Sequence, residues 1–371
     1  STVSINNSTI QNCGWEPIAI SSNALPTFSG INFNGNGSNA LGILEANSFH
    51  TTSGVNQGDK FFDTRETISS DVTISPYTVA GFTNIPFITR QRWIVGANST
   101  VTIDPLSVFK GDDVLYVDGA LRVLGTESEP VIFTSYNDDS AGGDSNNDGN
   151  NTVPSPGQSA QIQFRASSLD SANLVKNTEF RYPGNPIRFI NAGGTIDSSL
   201  IQLTSDNGID ISGNADPVIT NNRFENIGTP SGYSRRHSIY MDMFSNPTFS
   251  GNVESNVSYR GLAIKGGTWG SDATVPHRSF AGIDSITYHM TAGITIPSGS
   301  KITIPDGMVF KRETQYGAGR KSFNMFTVNG ALEVAGTSTN PVIFTSDTDD
   351  SYGQPADIYG NGSVDENDDY K

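Results

Sequence analysis

One cysteine, Cys13, is the whole thiol content of these 371 residues, so no internal disulfide framework can hold the chain together. It stands in STIQNCGW where the related string RFENIG has Ile227, a place for a small hydrophobe filling a core slot. Basic residues are scarce as well. The 22 Lys and Arg face 38 Asp and Glu, for a net charge of −16, and they form no cluster that would grip phosphates, which argues against a nucleic-acid partner. No apolar run approaches the roughly 20 residues of a membrane span, so no membrane insertion is expected within the chain. No stretch carries a sustained apolar period of 3.6, which removes amphipathic helices from the expectation. A signal peptide is missing too, and Ser1 falls in the middle of a repeating pattern. The expectation is a piece of a larger processed protein whose export signal lies outside it.

What the chain has in quantity is Gly, 39 in all, together with Asn, Ser and Thr, while hydrophobic residues make up 35% and charged residues only 16%. That is too polar for a thick core and too rich in β-branched residues for disorder; it suits many short strands joined by tight turns. Much of it is written twice. GALRVLGTESEPVIFTSYNDDSAGGDSNNDGNN at 119–151 returns as GALEVAGTSTNPVIFTSDTDDSYGQPADIYGNG at 330–362. Upstream, VTIDPLSVFK at 101–110 matches ITIPDGMVFK at 302–311, and PTFSG occurs at 26–30 and 247–251. The unit is therefore about 200–220 residues, drifting as surface turns lengthen or shorten. The expected organisation is 1–43 as the closing rungs of a preceding unit and 44–90 as an irregular, strand-rich connection. A complete unit follows at 91–268 with an acidic loop at 137–152, and 269–371 starts the next, with an acidic loop at 347–369.

Between 174 and 265 the sequence falls into rungs of about 22 residues. Val175, Ile196 and Ile219 form one column and Phe180, Ile201 and Phe224 another. A third pairs Ile187 with Phe189, Ile209 with Ile211, Ile239 with Met241, and Leu262 with Ile264. Apolar and polar residues alternate within each short segment, which is strand periodicity. One set of short strands per rung, without helices to make crossovers, predicts an all-β parallel β-helix whose coils stack at about 4.8 Å. Asn177, Asn221 and Asn222 sit where turns need left-handed backbone or local hydrogen bonds. The competing antiparallel sandwich gives no reason for columns that keep register from rung to rung.

The acid is concentrated in the loops after VIFTS. In the first, Asp144, Asn146 and Asp148 alternate and Gly149 follows, the opening of a DxNxDG calcium loop, with Asp138 and Asp139 near enough to add carboxylates. In the second, Asp349 and Asp350 take the leading places. Asp357, Asn361, Asp365 and Asp368 fall at positions one, five, nine and twelve, with Tyr359 replacing an oxygen ligand at position three. Hard oxygen donors without His or Cys point to Ca²⁺ rather than Zn²⁺. Asp, Asn and Gly are also what tight turns require, and that reading stands beside the metal one.

VTIDPLSVFK, GALRVLGTESEPVIFTS and DDSAGGDSNNDGNNT together resemble the right-handed parallel β-helix modules of large secreted and cell-surface bacterial proteins, in which a strand, a Gly-Thr turn and a DDSxGGDxNxDG loop recur. The resemblance covers most of the chain from about residue 95. It departs at 156–164, where PGQSAQIQF lacks the Asp and Trp of the Gly-Asp-Trp segment common in such modules. It implies an extracellular, cell-surface location and, with the rule for parallel crossovers, a right-handed coil. Tandem near-copies give length and valency rather than one active site. The expected function is thus a non-catalytic structural or adhesive module or filament, adhesin-like and stiffened by calcium. Its partners would be neighbouring copies or modules end to end, surface polysaccharide, or another cell. The alternative is a carbohydrate-active β-helix, a lyase or hydrolase, or a carbohydrate binder. Its candidates are the loop with Tyr233, Arg235, Arg236 and His237, the carboxylates Asp206, Asp210, Asp242 and Glu254, and a sugar-stacking set of Trp15, Trp93, Trp269, Tyr182, Tyr240 and Tyr259.

Overall fold

The computed structural model describes residues 2–13, 19–20, 25–34, 43–45, 55–56, 62–79, 82–89, 92–146, 148–228, 236–316, 319–320 and 323–358. Within them the chain makes three strands per coil, and apart from two short antiparallel pairs the strands pair in parallel from one coil to the next. The first sheet runs through Phe87–Ile88, Val108–Lys110, Val131–Thr134, Thr178–Arg181, Leu200–Thr204, Arg223–Ile227 and Val253–Val257. The second stacks Trp93–Val95, Val114–Val117, Gln161–Phe164, Ile187–Ile190, Ile209–Ser212, Ile239–Met241 and Leu262–Ile264. The third stacks Val72–Ile74, Thr100–Ile103, Ala120–Leu124, Leu174–Lys176, Thr195–Asp197, Val218–Thr220 and Thr248–Ser250. Among the described residues there is no α-helix, and one 3-10 turn at Asp170–Ala172.

All three expected columns are pairing registers. Val175 faces Ile196 and Ile196 faces Ile219; Phe180 faces Ile201 and Ile201 faces Phe224; Ile187 and Phe189 face Ile209 and Ile211, which face Ile239 and Met241. Alternation puts every second side chain inside, where these residues are fully or almost fully buried. Parallel stacking in register also places like on like. Phe87, Phe109, Phe133 and Phe180 form a ladder of stacked rings with centroids 5.1, 4.9 and 5.3 Å apart. Cys13, expected in such a slot, is only half-buried, just past the short strand Thr9–Gln11.

The corner between the third and first sheets is made by asparagine. Asn177 and Asn221 take left-handed backbone, at φ 44° and 57°. Asn222 does not; it points inward, fully buried, and accepts from Ser199 N while donating to Ile196 O and to Asn252 Oδ1. Asn252 repeats the move one coil on, donating to Ile219 O. These amides satisfy backbone groups that the corner takes out of the sheet ladder.

Stacking continues across the 268/269 boundary expected from the repeat, because Leu262–Ile264 pairs with Tyr288–Met290, then Val309–Arg312 and Ile343–Ser346 follow. The second copy is, however, rotated by one face. Val108–Lys110 and Val131–Thr134 lie in the first sheet, whereas their counterparts Val309–Arg312 and Ile343–Ser346 extend the second. The rotation follows from the junction, where Val253–Val257 closes the described first-sheet ladder and Gly267–Thr268 and Ala273–Thr274 open two new ones. Before the first copy, Phe62–Ile68 turns a corner within one strand, pairing at its start with Phe87–Ile88 and at its end with Trp93–Val95; Tyr77–Val79 and Phe82–Ile85 form an antiparallel pair.

Candidate metal centre in the first acidic loop

The first acidic loop leaves the strand Val131–Thr134 and returns over the side of the sheet opposite Phe109 and Phe133. Its first anchor is Asp138. This almost fully buried carboxylate accepts from Thr134 Oγ1 at 2.6 Å on one oxygen, and from Ser140 N at 3.1 Å and Ser140 Oγ at 2.5 Å on the other. Arg181 Nη1 lies 3.9 Å away. Both oxygens of Asp138 are therefore engaged in closing the turn.

The next carboxylates converge. Asp139, Asp144 and Asp148 bring one oxygen each to within 4.8 Å of the others. Asp144 is held by Asp148 N at 3.3 Å and Gly149 N at 2.9 Å, and Gly149 has φ 72°, a left-handed position that suits glycine. Asp148 Oδ2 accepts from Thr152 Oγ1 at 2.6 Å and Asn146 Nδ2 at 3.0 Å. Asp139 Oδ1, Asp148 Oδ1 and Asn146 Oδ1 are closed off from solvent and have no hydrogen-bond donor among the described residues. Burial, then the charges of Asp144, Asp148 and Asp138, push the Asp139 carboxyl above the usual range, with Lys110 pulling the other way. Three buried acceptor atoms without donors, all oxygen, in a loop with Gly142, Gly143 and Gly149 in left-handed backbone, are a donor set that fits a hard cation.

Lys110 lies beneath the loop. It is fully buried, and its ammonium donates to Gly143 O at 2.5 Å. Sequence reasoning matched VFK in both copies without assigning its lysine; the available signal was a Lys inside an otherwise apolar strand, repeated.

The second loop opens in the same way. Thr345 Oγ1 donates to Asp349 Oδ2, and Ser351 N donates to Asp349 Oδ1 at 3.0 Å. Burial opposes the charge of Asp349, but the bonds from Thr345 and Ser351 and the nearby Lys311 hold its carboxyl below the usual range. Lys311, fully buried, donates to Asp349 O at 2.6 Å and to Ala356 O. The loop then folds onto the preceding coils through Thr287 N to Gln354 O at 2.9 Å and Arg260 N to Ile358 O at 2.8 Å. Asp350 and Asp357 belong to this loop and act on Lys311 with Asp349 and Asp347, but among the described residues no second group of three converges. Asn361, Asp365 and Asp368 lie outside the described residues.

The residues weighed for catalysis are dispersed. Tyr233, Arg235 and Trp15 lie outside the described residues. Arg236 pairs with Asp206 at 3.0 Å, and His237 is fully buried with its Nε2 at 2.9 Å from His289 Nδ1. Asp210 is taken by Lys265 and Arg188, and Asp242 caps Gly213, Phe244 and Ser245. Trp93 and Trp269 are buried, not displayed.

No curated protein and no solved structure matches the chain. Residues 280–362 match the family described as "Pectate-lyase like beta helix domain", and residues 145–306 match the "Right handed beta helix region". With its parallel sheets stacked coil on coil, the chain is an all-β, right-handed parallel β-helix solenoid.

Proposed function

We propose that this chain is a non-catalytic structural and adhesive module of an extracellular bacterial surface protein or filament, stiffened by calcium in its first acidic loop. The observation that carries this reading is the convergence of Asp139, Asp144 and Asp148, two of which offer a buried oxygen without a donor among the described residues. Carboxylates so placed repel one another unless a cation lies among them. Asp139, Asp144 and Asp148, with the side-chain oxygen of Asn146, would hold the ion. When bound it supplies charge neutralisation and ties three points of a glycine-rich loop together. Asp138 and the Thr134 hydroxyl keep the loop attached to the sheet.

The two copies differ in what covers their strands. Val117, Val123 and Phe133 are buried under the strands carrying Phe164, Val175 and Phe180. Their counterparts Val328, Val334 and Phe344 are 44%, 44% and 42% exposed.

The second reading, a carbohydrate-active or carbohydrate-binding β-helix, is favoured by one strip. Arg165 lies over the Tyr116 ring at 4.6 Å, and Lys265 over the Tyr240 ring at 4.8 Å, on strands of the second sheet or at their ends. Thermal unfolding in calcium and in EDTA, followed by incubation of the calcium form with acidic and neutral polysaccharides, separates the two. A rise in melting temperature of several degrees in calcium with intact sugars is expected; sugar cleavage, or no calcium shift, overturns the structural reading.

A further inference from the structure

A lysine buried in a β-helix is costly unless its charge is answered, because the ammonium gives up its hydration. This chain buries one in each copy, at the same place. Lys110 and Lys311 each follow a core phenylalanine, Phe109 and Phe310, so their side chains leave on the opposite side of the strand. Both are fully buried, and both ammonium groups donate to backbone carbonyls of the acidic loop that lies over them. Both stand beside the same threonine-to-carboxylate anchor, Thr134 with Asp138 and Thr345 with Asp349. Carbonyl contacts alone would be met by a neutral donor. What a lysine adds is a fixed positive charge under a cluster of negative ones, and its field is felt at Asp139.

We infer that Lys110 is a built-in counter-ion of the first loop, and that it sets the charge of the metal centre. Asp139, Asp144 and Asp148 carry three negative charges; the ammonium reduces the sum to two, which matches a divalent ion and disfavours a trivalent one. Lys110 is thus a positioning and selectivity residue and not a ligand. This rests on the calcium reading above. In the second loop burial holds the Lys311 ammonium below the usual lysine range, while the charges of Asp350, Asp349, Asp347 and Asp357 favour it.

The test is the preference for Tb³⁺ over Ca²⁺, measured on the full chain by terbium luminescence with calcium as competitor; Tyr136, whose hydroxyl donates to Ser145 O within the loop, is the sensitiser. A ratio is used because loss of loop order weakens both ions alike and cancels. Lys110→Met is expected to raise the preference for Tb³⁺ by about tenfold or more, since an added unit of negative charge acts more strongly on the higher ionic charge. Asp139→Asn should lower it, and the double variant should return it to the wild-type value. A Lys110→Met ratio within twofold of wild type overturns the inference. Should that variant not fold, an unchanged ratio in Asp139→Asn does the same. Wild-type protein that binds neither ion overturns the calcium reading itself, a result distinct from either.

Discussion

Asp138 and Asp148 are ten residues apart in one acidic loop, yet replacement by alanine should depend on calcium at Asp148 and not at Asp138. Asp138 accepts from Thr134 and twice from Ser140, and Thr134 is fully buried. Asp138→Ala strands the Thr134 hydroxyl without an acceptor, at a cost of about 2–3 kcal/mol that is the same with or without calcium. Asp148 belongs to the converging triad, where its charge disfavours ionised Asp139. Its other bonds run to the exposed Thr152 and the half-buried Asn146. In EDTA, Asp148→Ala should therefore shift stability by less than about 1 kcal/mol, because lost hydrogen bonds offset relieved repulsion. In calcium at a hundred times its dissociation constant the wild type gains about 2.7 kcal/mol that the variant cannot. Urea unfolding of both variants in calcium and in EDTA gives the double difference. Equal losses for Asp148→Ala in the two buffers, or a loss for Asp138→Ala seen only in calcium, would refute this division of the loop into anchor and metal centre.

The two copies of VIFTS provide a control of context. Phe133→Ala, in the stacked ladder, should cost about 3–5 kcal/mol, and Phe344→Ala, at the 42% exposed counterpart, no more than about 2; equal costs in dilute urea titrations would contradict the stacking. A pH dependence is expected from Glu254, which pairs with Phe224 in the first sheet and has both carboxylate oxygens shut off from water. Burial pushes its carboxyl above the usual range, with Ser238 and Arg260 pulling it down. A raised carboxyl stabilises the fold below its unfolded value and loses that contribution as pH rises through the folded one. Between those two values stability should fall by up to about 1.4 kcal/mol per pH unit; Glu254→Gln should flatten the slope, and an unchanged slope in urea midpoints from pH 4 to 8 would remove Glu254 as its source.

The repetitive part of the fold was legible in the sequence because parallel stacking in register writes each contact as a column. Val175, Ile196 and Ile219 are adjacent in space for the same reason that they align on the page. Asp144, Asn146 and Asp148 were legible as a group because oxygen side chains alternate there before a glycine, a pattern that serves a tight turn and a hard cation alike. Asp138 was legible only as a carboxylate. Its role was decided by Thr134, four residues back and on a strand, and composition gives no sign of which acids in a cluster turn inward. The lysines were present in the repeat but sat among core residues, where spacing marks a position as buried without saying that the loop above supplies its partners. The rotation between copies was not legible at all. It comes from how many strands the junction inserts, and nothing in the duplicated strings records that number.

That rotation changes what each loop rests on, and the residues beneath have changed with it. The first-copy positions Ile88 and Tyr136 are occupied in the second by His289 and Asp347, both fully buried, with His289 Nε2 3.6 Å from Asp347 Oδ2. His289 Nδ1 lies 2.9 Å from Nε2 of His237, which the second loop thereby links to the closing coils of the first copy. Where the first loop's copy has the apolar Ile88 beside Lys110, the second has a buried polar chain that spans two units. A buried polar chain holds its parts in one arrangement more strictly than an apolar contact does, since each partner removed leaves another unpaired. Lys311, held by the same loop at Asp349 O and Ala356 O, stands next to His289 in the ladder. The duplicated element thus acts as a loop anchor in the first copy and as a clasp between copies in the second, with the strand, the threonine and the lysine kept and the underlying pair replaced.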